Sequence, residues 1–326
     1  AIISGGRKAA IISGGRKAAD TYSVNKLTIL DNKWMGQPRT IAAALLESEG
    51  HRALVDPGPG STLETLRQQL QAHGLTVRDL DAILLTHIHM DHAGASGALV
   101  RENPGLPVYV HKIGAPHMAD PSKLLASAQR LWPKELQRLF GEMLPVPAEN
   151  LRILEGGETL LLGSRKLEVV YTPGHASHHV SYFDHQEGIA FVGDTAGVRI
   201  EGHAYEMPAT PPPDIDLEIW DSSFAAILER KPSRLFLTHF GHSENPAEHV
   251  LRFRERLHLW AALAEKSIHR ASDESAAMDA FISVTHAEIA QHLPPGEVEH
   301  YVFSAGLNFS FLGLARYLRK RATAAT

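Results

Sequence analysis

The most constraining stretch of the chain is Ile83-Leu84-Leu85-Thr86-His87-Ile88-His89-Met90-Asp91-His92, an apolar run leading straight into three histidines and an aspartate. The apolar part predicts a buried strand, and in an extended chain residues two apart point the same way. His87 and His89 can therefore present their imidazoles to one ion. Asp91 and His92 follow one turn later, just before the Ala-Gly-rich start of a helix at Ala93-Gly94-Ala95. There the bent chain lets both face a second ion beside the first. Burying such groups together is costly unless something binds them. Zinc accepts imidazole nitrogen and carboxylate oxygen alike, at about 2.0–2.2 Å.

More candidate ligands come from later strand ends. Tyr171-Thr172-Pro173-Gly174-His175 is a strand and a Pro-Gly turn that deliver a histidine. Phe191-Val192-Gly193-Asp194 ends in an aspartate, and Leu235-Phe236-Leu237-Thr238-His239 ends in a histidine. His242 competes with His239, which is preferred because it directly follows the apolar strand. Loops at strand ends are where layered α/β folds usually hold their sites.

Composition narrows the chemistry. The 326 residues include 20 histidines and no cysteine, which removes disulfides, thiolate catalysis and Cys-ligated metals together. A formal net charge of −5 gives no basic field to recruit nucleic acid, so nucleic acid is disfavoured as a partner. No apolar run approaches the roughly 18 residues that span a bilayer, and no signal peptide is visible. The expectation is a cytoplasmic protein without a transmembrane segment, acting on a small molecule.

Ala1–Ala9 and Ala10–Ala18 are identical nonamers. Residues 1–19 are therefore set aside as a duplicated, non-native tag. From Asp20 onward short apolar runs alternate with helical patterns, the mark of a layered α/β fold. Strands are predicted at Leu27–Leu30, Thr40–Leu46, Ala53–Val55, Ala82–Leu85, Val108–Val110 and Leu151–Leu154. Others are predicted at Thr159–Leu162, Leu167–Tyr171, Val180–Phe183, Ile189–Val192 and Leu235–Leu237. Helices are predicted at Ser61–Ala72, Ala93–Arg101 and Asp216–Glu229. Hairpin-like breaks at Glu155-Gly156-Gly157 and Gly163-Ser164 favour two mixed sheets with outer helices over one parallel sheet.

Residues 121–144 carry apolar positions at helical spacing split by Pro133, which predicts a helix–break–helix insertion. Beyond residue 243 the chain turns helical, with Asn245 as cap and Pro246 at the first helical position. Val250, Phe253, Leu257, Trp260 and Ala264 then fall on one apolar face, which could serve a homodimer as easily as a core. A further helix is predicted over 276–292, a break at Pro294-Pro295-Gly296, and a last helix ending in the basic run Arg316–Arg321. The division is thus a catalytic domain over 20–243 and a helical C-terminal region over 244–326.

His-x-His-x-Asp-His, then His, Asp and His at successive strand ends, resembles the metallo-β-lactamase superfamily, from about Asp20 to Gly241. The resemblance implies a four-layer αβ/βα sandwich of two mixed sheets, here with a helical insertion and a helical C-terminal region. It also implies two zinc ions per chain, with iron or manganese as alternatives. One ion would be held by His87, His89 and His175, the other by Asp91, His92 and His239, with Asp194 bridging both. His179, ahead of His178, would orient a ligand or the bridging acid, and Asp56 would pack beside the site in the Asp56–Gly60 loop.

Two ions about 3.5–4 Å apart can share a water and lower its pKa, making hydroxide available at neutral pH. Asp91 is the expected catalytic group, orienting that nucleophile and relaying its proton. A bridging Asp194 resembles the glyoxalase II, lactonase and tRNase Z branches, which implies hydrolysis of a small ester, thioester or lactone. No clear counterpart of the glutathione-gripping basic motif is found. Alternatives are a mononuclear iron sulfur dioxygenase of the same fold, a phosphodiesterase or a β-lactamase. Pocket walls are expected from the 121–144 insertion, the Arg199–Pro213 loop and the C-terminal helices, offering Trp132, Phe140, Tyr205 and Met207.

Overall fold

A computed structural model describes residues 9–12, 25–200 and 202–324. The chain divides into two compact units, residues 1–171 with 178–191, and residues 172–177 with 192–326.

In the first unit the strands are β1 (Ala9–Ile12), β2 (Lys26–Asp31), β3 (Ala42–Ser48), β4 (His51–Val55), β5 (Ala82–Leu84) and β6 (Val108–His111). They continue with β7 (Leu151–Leu154), β8 (Thr159–Leu162), β9 (Arg165–Tyr171), β10 (Val180–Asp184) and β11 (Ile189–Phe191). Its helices are α1 (Leu63–Ala72), α2 (Met90–Ala93), α3 (Ser96–Glu102), α4 (Ala115–Ala119), α5 (Ser122–Leu131) and α6 (Leu136–Phe140). The second unit holds β12 (Arg234–Leu237) and β13 (Gly241–Ser243). Its helices are α7 (Leu217–Glu229), α8 (Pro246–Arg270), α9 (Glu274–Ala290), α10 (Pro295–Ala305) and α11 (Leu307–Ala324).

In the first unit the strands make two sheets, ordered β2-β3-β4-β5-β6-β7 and β1-β8-β9-β10-β11, and in the second unit β12 pairs with β13. Both sheets are mixed, as expected. In the first, β2, β3 and β4 pair antiparallel while β4, β5, β6 and β7 pair parallel. The uninterrupted apolar run of β5 follows from this placement, because a strand with parallel neighbours on both sides is buried on both faces. In the second sheet β8, β9 and β10 form antiparallel hairpins, with β8 and β9 joined across Gly163-Ser164. Ala9–Ile12, from the nonamers set aside above, pair parallel with β8 and bury Ile12.

Strand β9 alternates buried and exposed residues, as a half-buried strand should, yet it buries a guanidinium. Arg165 and Asp184 on the neighbouring β10 are almost wholly buried and ion-paired, and Arg165 also donates to the Lys26 carbonyl.

The 121–144 insertion forms α5 and α6, broken at Pro133 as predicted. It packs into the core of the first unit through Leu124, Leu125, Ala128 and Leu136. Phe140 is sandwiched by Trp34 and Trp132, with ring centroids 5.8 and 5.0 Å away. Phe140, Tyr205 and Met207 are therefore not pocket walls, since all three are withdrawn into packing.

In the second unit Asp216 caps α7 by accepting from Ile219 N at 3.0 Å. Helix α8 buries Val250, Phe253, Leu257, Trp260 and Ala264, the face read from spacing. Asn245 makes no side-chain cap; the helix starts on Pro246 instead. The predicted last helix is two, α10 beginning on Pro295 and α11 after Gly306. Trp260, Phe281 and Phe311 join α8, α9 and α11 through ring contacts of 5.6–5.8 Å. Among the described residues no helix is long and apolar enough to cross a membrane.

Candidate metal centre

Strand β5 hands its direction to Thr86 and His87, while β4 is followed directly by Asp56, a wholly buried carboxylate. Asp56 accepts from Thr86 N at 2.8 Å, from Thr86 Oγ1 at 2.6 Å and from His92 Nδ1 at 2.9 Å. Because the Thr86 proton goes to Asp56, its oxygen accepts from His87 Nδ1 at 3.1 Å. A carboxylate can only accept, so both histidines carry their protons on Nδ1 and have Nε2 unprotonated. His87 Nε2 lies 3.0 Å from His89 Nδ1. Asp91 and His92 sit on the single turn of α2 rather than ahead of a helix, with Asp91 Oδ2 3.8 Å from His92 Nε2. The Gly58 loop is tied to this turn, since Gly58 N donates to His92 O and Ala95 N to Gly58 O.

His178 and His179 are both buried. The His179 ring stacks on His87 with centroids 4.9 Å apart, and His178 N δ1 accepts from Ile88 N at 3.4 Å.

In the second unit the turn Thr172–His175 rests on Trp220 of α7. Gly174 adopts φ +131°, and a Cβ there would lie 2.3 Å from Trp220 Cβ, so only glycine fits. Trp220 packs edge-on against the His175 ring and donates its indole N–H to Thr195 O at 2.8 Å, holding the loop that carries Asp194. His175 Nδ1 donates to Ala209 O at 2.9 Å, which again puts the proton on Nδ1 rather than Nε2. That nitrogen stands 3.5 Å from Asp194 Oδ2, while His239 Nε2 stands 3.8 Å from Asp194 Oδ1.

The 3.5 Å between His175 and Asp194 suits a shared ion better than a direct hydrogen bond. Two ligand atoms on a tetrahedral ion, each about 2.0–2.2 Å away, lie roughly 3.3–3.6 Å apart. Direct bonds would close to about 2.7–3.2 Å. The donors are imidazoles and carboxylates, with hydrogen-bond partners fixing Nδ1 of His87, His92 and His175, which is the chemistry a zinc-type ion takes. Among the described residues, those that could hold a metal ion include His87, His89, Asp91 and His92 in the first unit and His175, Asp194 and His239 in the second. His242 is not among them and packs edge-on against Phe236 from β13. Thr86 and Trp220, which steady the candidate ligands, carried no sequence signal, because a lone threonine and a helix-face tryptophan look like ordinary packing.

The Metallo-beta-lactamase superfamily profile matches residues 36–240. The chain belongs to this superfamily. It is 31% identical over 172 residues to a hydroxyacylglutathione hydrolase of Aeromonas hydrophila, covering 51% of this chain and 52% of that protein. It is 36% identical over 137 residues to a probable metallo-hydrolase of Bacillus subtilis, covering 42% and 57%. The chain thus spans little more than half the length of these curated relatives. A metallo-beta-lactamase family protein from Thermus thermophilus superimposes with a TM-score of 0.65 at 23% identity, over 91% of this chain and 94% of that one. The two mixed sheets with their helices are therefore this superfamily's α/β fold.

Proposed function

We propose that this superfamily member is a dinuclear zinc hydrolase of a small ester, thioester or lactone. In this reading His87, His89 and His175 hold one ion, and Asp91, His92 and His239 hold the other, with Asp194 between them. The observation that carries the proposal is Asp194 itself, whose two oxygens face two different histidines, Oδ2 at 3.5 Å from His175 and Oδ1 at 3.8 Å from His239. A carboxylate turned in this way is arranged to bridge. The name of the Aeromonas relative, a thioester hydrolase, supports the substrate class.

When bound, paired divalent ions supply hydroxide near neutral pH and polarise the scissile carbonyl. The chain's own residues do the rest. Asp56 and Thr86 keep the imidazoles in the ligating tautomer. Asp91, with a quarter of its side chain exposed, takes the proton of the attacking water and passes it to the leaving oxygen or sulfur.

The test is zinc reconstitution followed by a panel of lactones, thioesters, esters, phosphodiesters and β-lactams. The expected result is about two zinc ions per chain and turnover of an ester, thioester or lactone. One iron per chain with oxygen uptake on a persulfide would replace the proposal with dioxygenation. Phosphodiester or β-lactam turnover alone would overturn the substrate class. His89→Ala and Asp194→Ala should each lower metal content and activity together; activity lost at full occupancy would contradict the ligand roles.

A further inference from the structure

Behind Asp194 and His239 lies a buried chain of hydrogen bonds whose polarity can be read at every link. Ala196 O, two residues after Asp194, lies 2.7 Å from His249 Nε2. A carbonyl only accepts, so the His249 proton is on Nε2 and Nδ1 is an acceptor. Nδ1 lies 3.0 Å from Ser243 Oγ, which must donate to it. Ser243 Oγ in turn accepts from the Arg199 guanidinium at 2.6 Å. Arg199 closes the circuit through its backbone, with its N–H donating to His239 O at 2.7 Å and its carbonyl accepting from Phe240 N at 3.3 Å.

His249 and Ser243 are almost wholly buried, and Glu206, also buried, supplies a carboxylate 3.9 Å from Arg199 Nε. The circuit therefore joins the Asp194–Arg199 loop to the His239–Ser243 segment through fixed, solvent-shielded links. Burial holds the His249 pKa down at about 4, so the imidazole stays neutral and the direction of every bond is constant at neutral pH.

We infer that Arg199, Ser243 and His249 are positioning residues that set the spacing between Asp194 and His239, and so the strength of the site those two share. The inference rests on the proposed metal centre. None of the three is itself a ligand or touches substrate. Outer partners of metal ligands typically change metal affinity by about 10–100-fold when removed.

The experiment strips the full chain with chelator and titrates it with Zn²⁺ against a chromophoric competitor, resolving two binding steps. His249→Ala and Ser243→Ala should weaken one of the two steps by about 10–100-fold while the other moves far less. Ser243→Ala removes a single oxygen, so it tests the circuit even if His249→Ala folds poorly. His249→Gln, whose amide can still donate to Ala196 O, should restore much of the lost affinity. Phe281→Leu, a packing loss among α8, α9 and α11, should lower the melting temperature without separating the two steps. Equal weakening of both steps, or no change in Ser243→Ala, would overturn the inference while leaving the metal centre standing. A parent chain that binds no Zn²⁺ would sink both.

Discussion

Asp56 Oδ2 lies 2.9 Å from His92 Nδ1, and the same carboxylate takes the Thr86 hydroxyl that accepts from His87 Nδ1. One buried acid thus sets the tautomers of two histidines on either side of it. Asp56→Asn is expected to weaken metal binding by about 10–100-fold, because a neutral amide loses the charge that holds His92 Nδ1–H. Chelator competition measures the effect, and unchanged affinity would show that the carboxylate merely packs there.

Removing metal should destabilise the fold itself. A ligand present at about 100 times its dissociation constant adds roughly 2.7 kcal/mol if it binds only the folded chain. Chelator-treated protein should melt several degrees lower, and Zn²⁺ should restore the difference. Coincident melting curves with and without Zn²⁺ would argue against the proposed metal centre.

His249 makes stability depend on pH. Its folded pKa is pushed down by burial to about 4, from an ordinary 6.5. The unfolded chain therefore binds a proton first, and stability is full above 6.5, declines as pH falls, and has lost the whole contribution below about 4. The total is about 3 kcal/mol from the width of that window. Denaturant titrations between pH 7 and 4 should show a shallower loss in His249→Gln than in the parent, by up to one proton. Parallel curves would mean that His249 titrates normally.

Arg165 and Asp184 form a buried ion pair between β9 and β10. Arg165→Met removes the cation and leaves the carboxylate uncompensated, which costs about 3–5 kcal/mol. Asp184 keeps its bonds from Gln186 N and Glu187 N at 3.1 Å each, so the cost should fall toward the low end. Urea unfolding of the two proteins decides it, and a loss below about 1 kcal/mol would place the pair with surface ion pairs.

The apolar runs of β5, β9 and α8 were legible because burial writes a period into the sequence, continuous for a doubly buried strand, two for β9 and 3.6 for α8. Elements without that imprint were missed. Strand β13 is three residues long and is made by pairing Phe236 with His242. The one-turn helix α2 carries Asp91 and His92 where the sequence suggested a helix starting later. The split between α10 and α11 falls at Gly306, with φ +64°, a single residue that propensity alone does not distinguish from a tolerated helical glycine.

The sequence by itself determined which side chains are the candidate ligands and that most of them follow a strand, because residue type and the apolar run before it are local properties. Only the tertiary structure decided which nitrogen of His87, His92 and His175 carries the proton, that Asp194 turns its two oxygens to different histidines, and that Trp220, Ser243 and His249 bond to the segments around them. Those facts depend on hydrogen bonds between residues as far apart as Asp56 and His92 or Ala196 and His249, and no local pattern encodes a partner that distant.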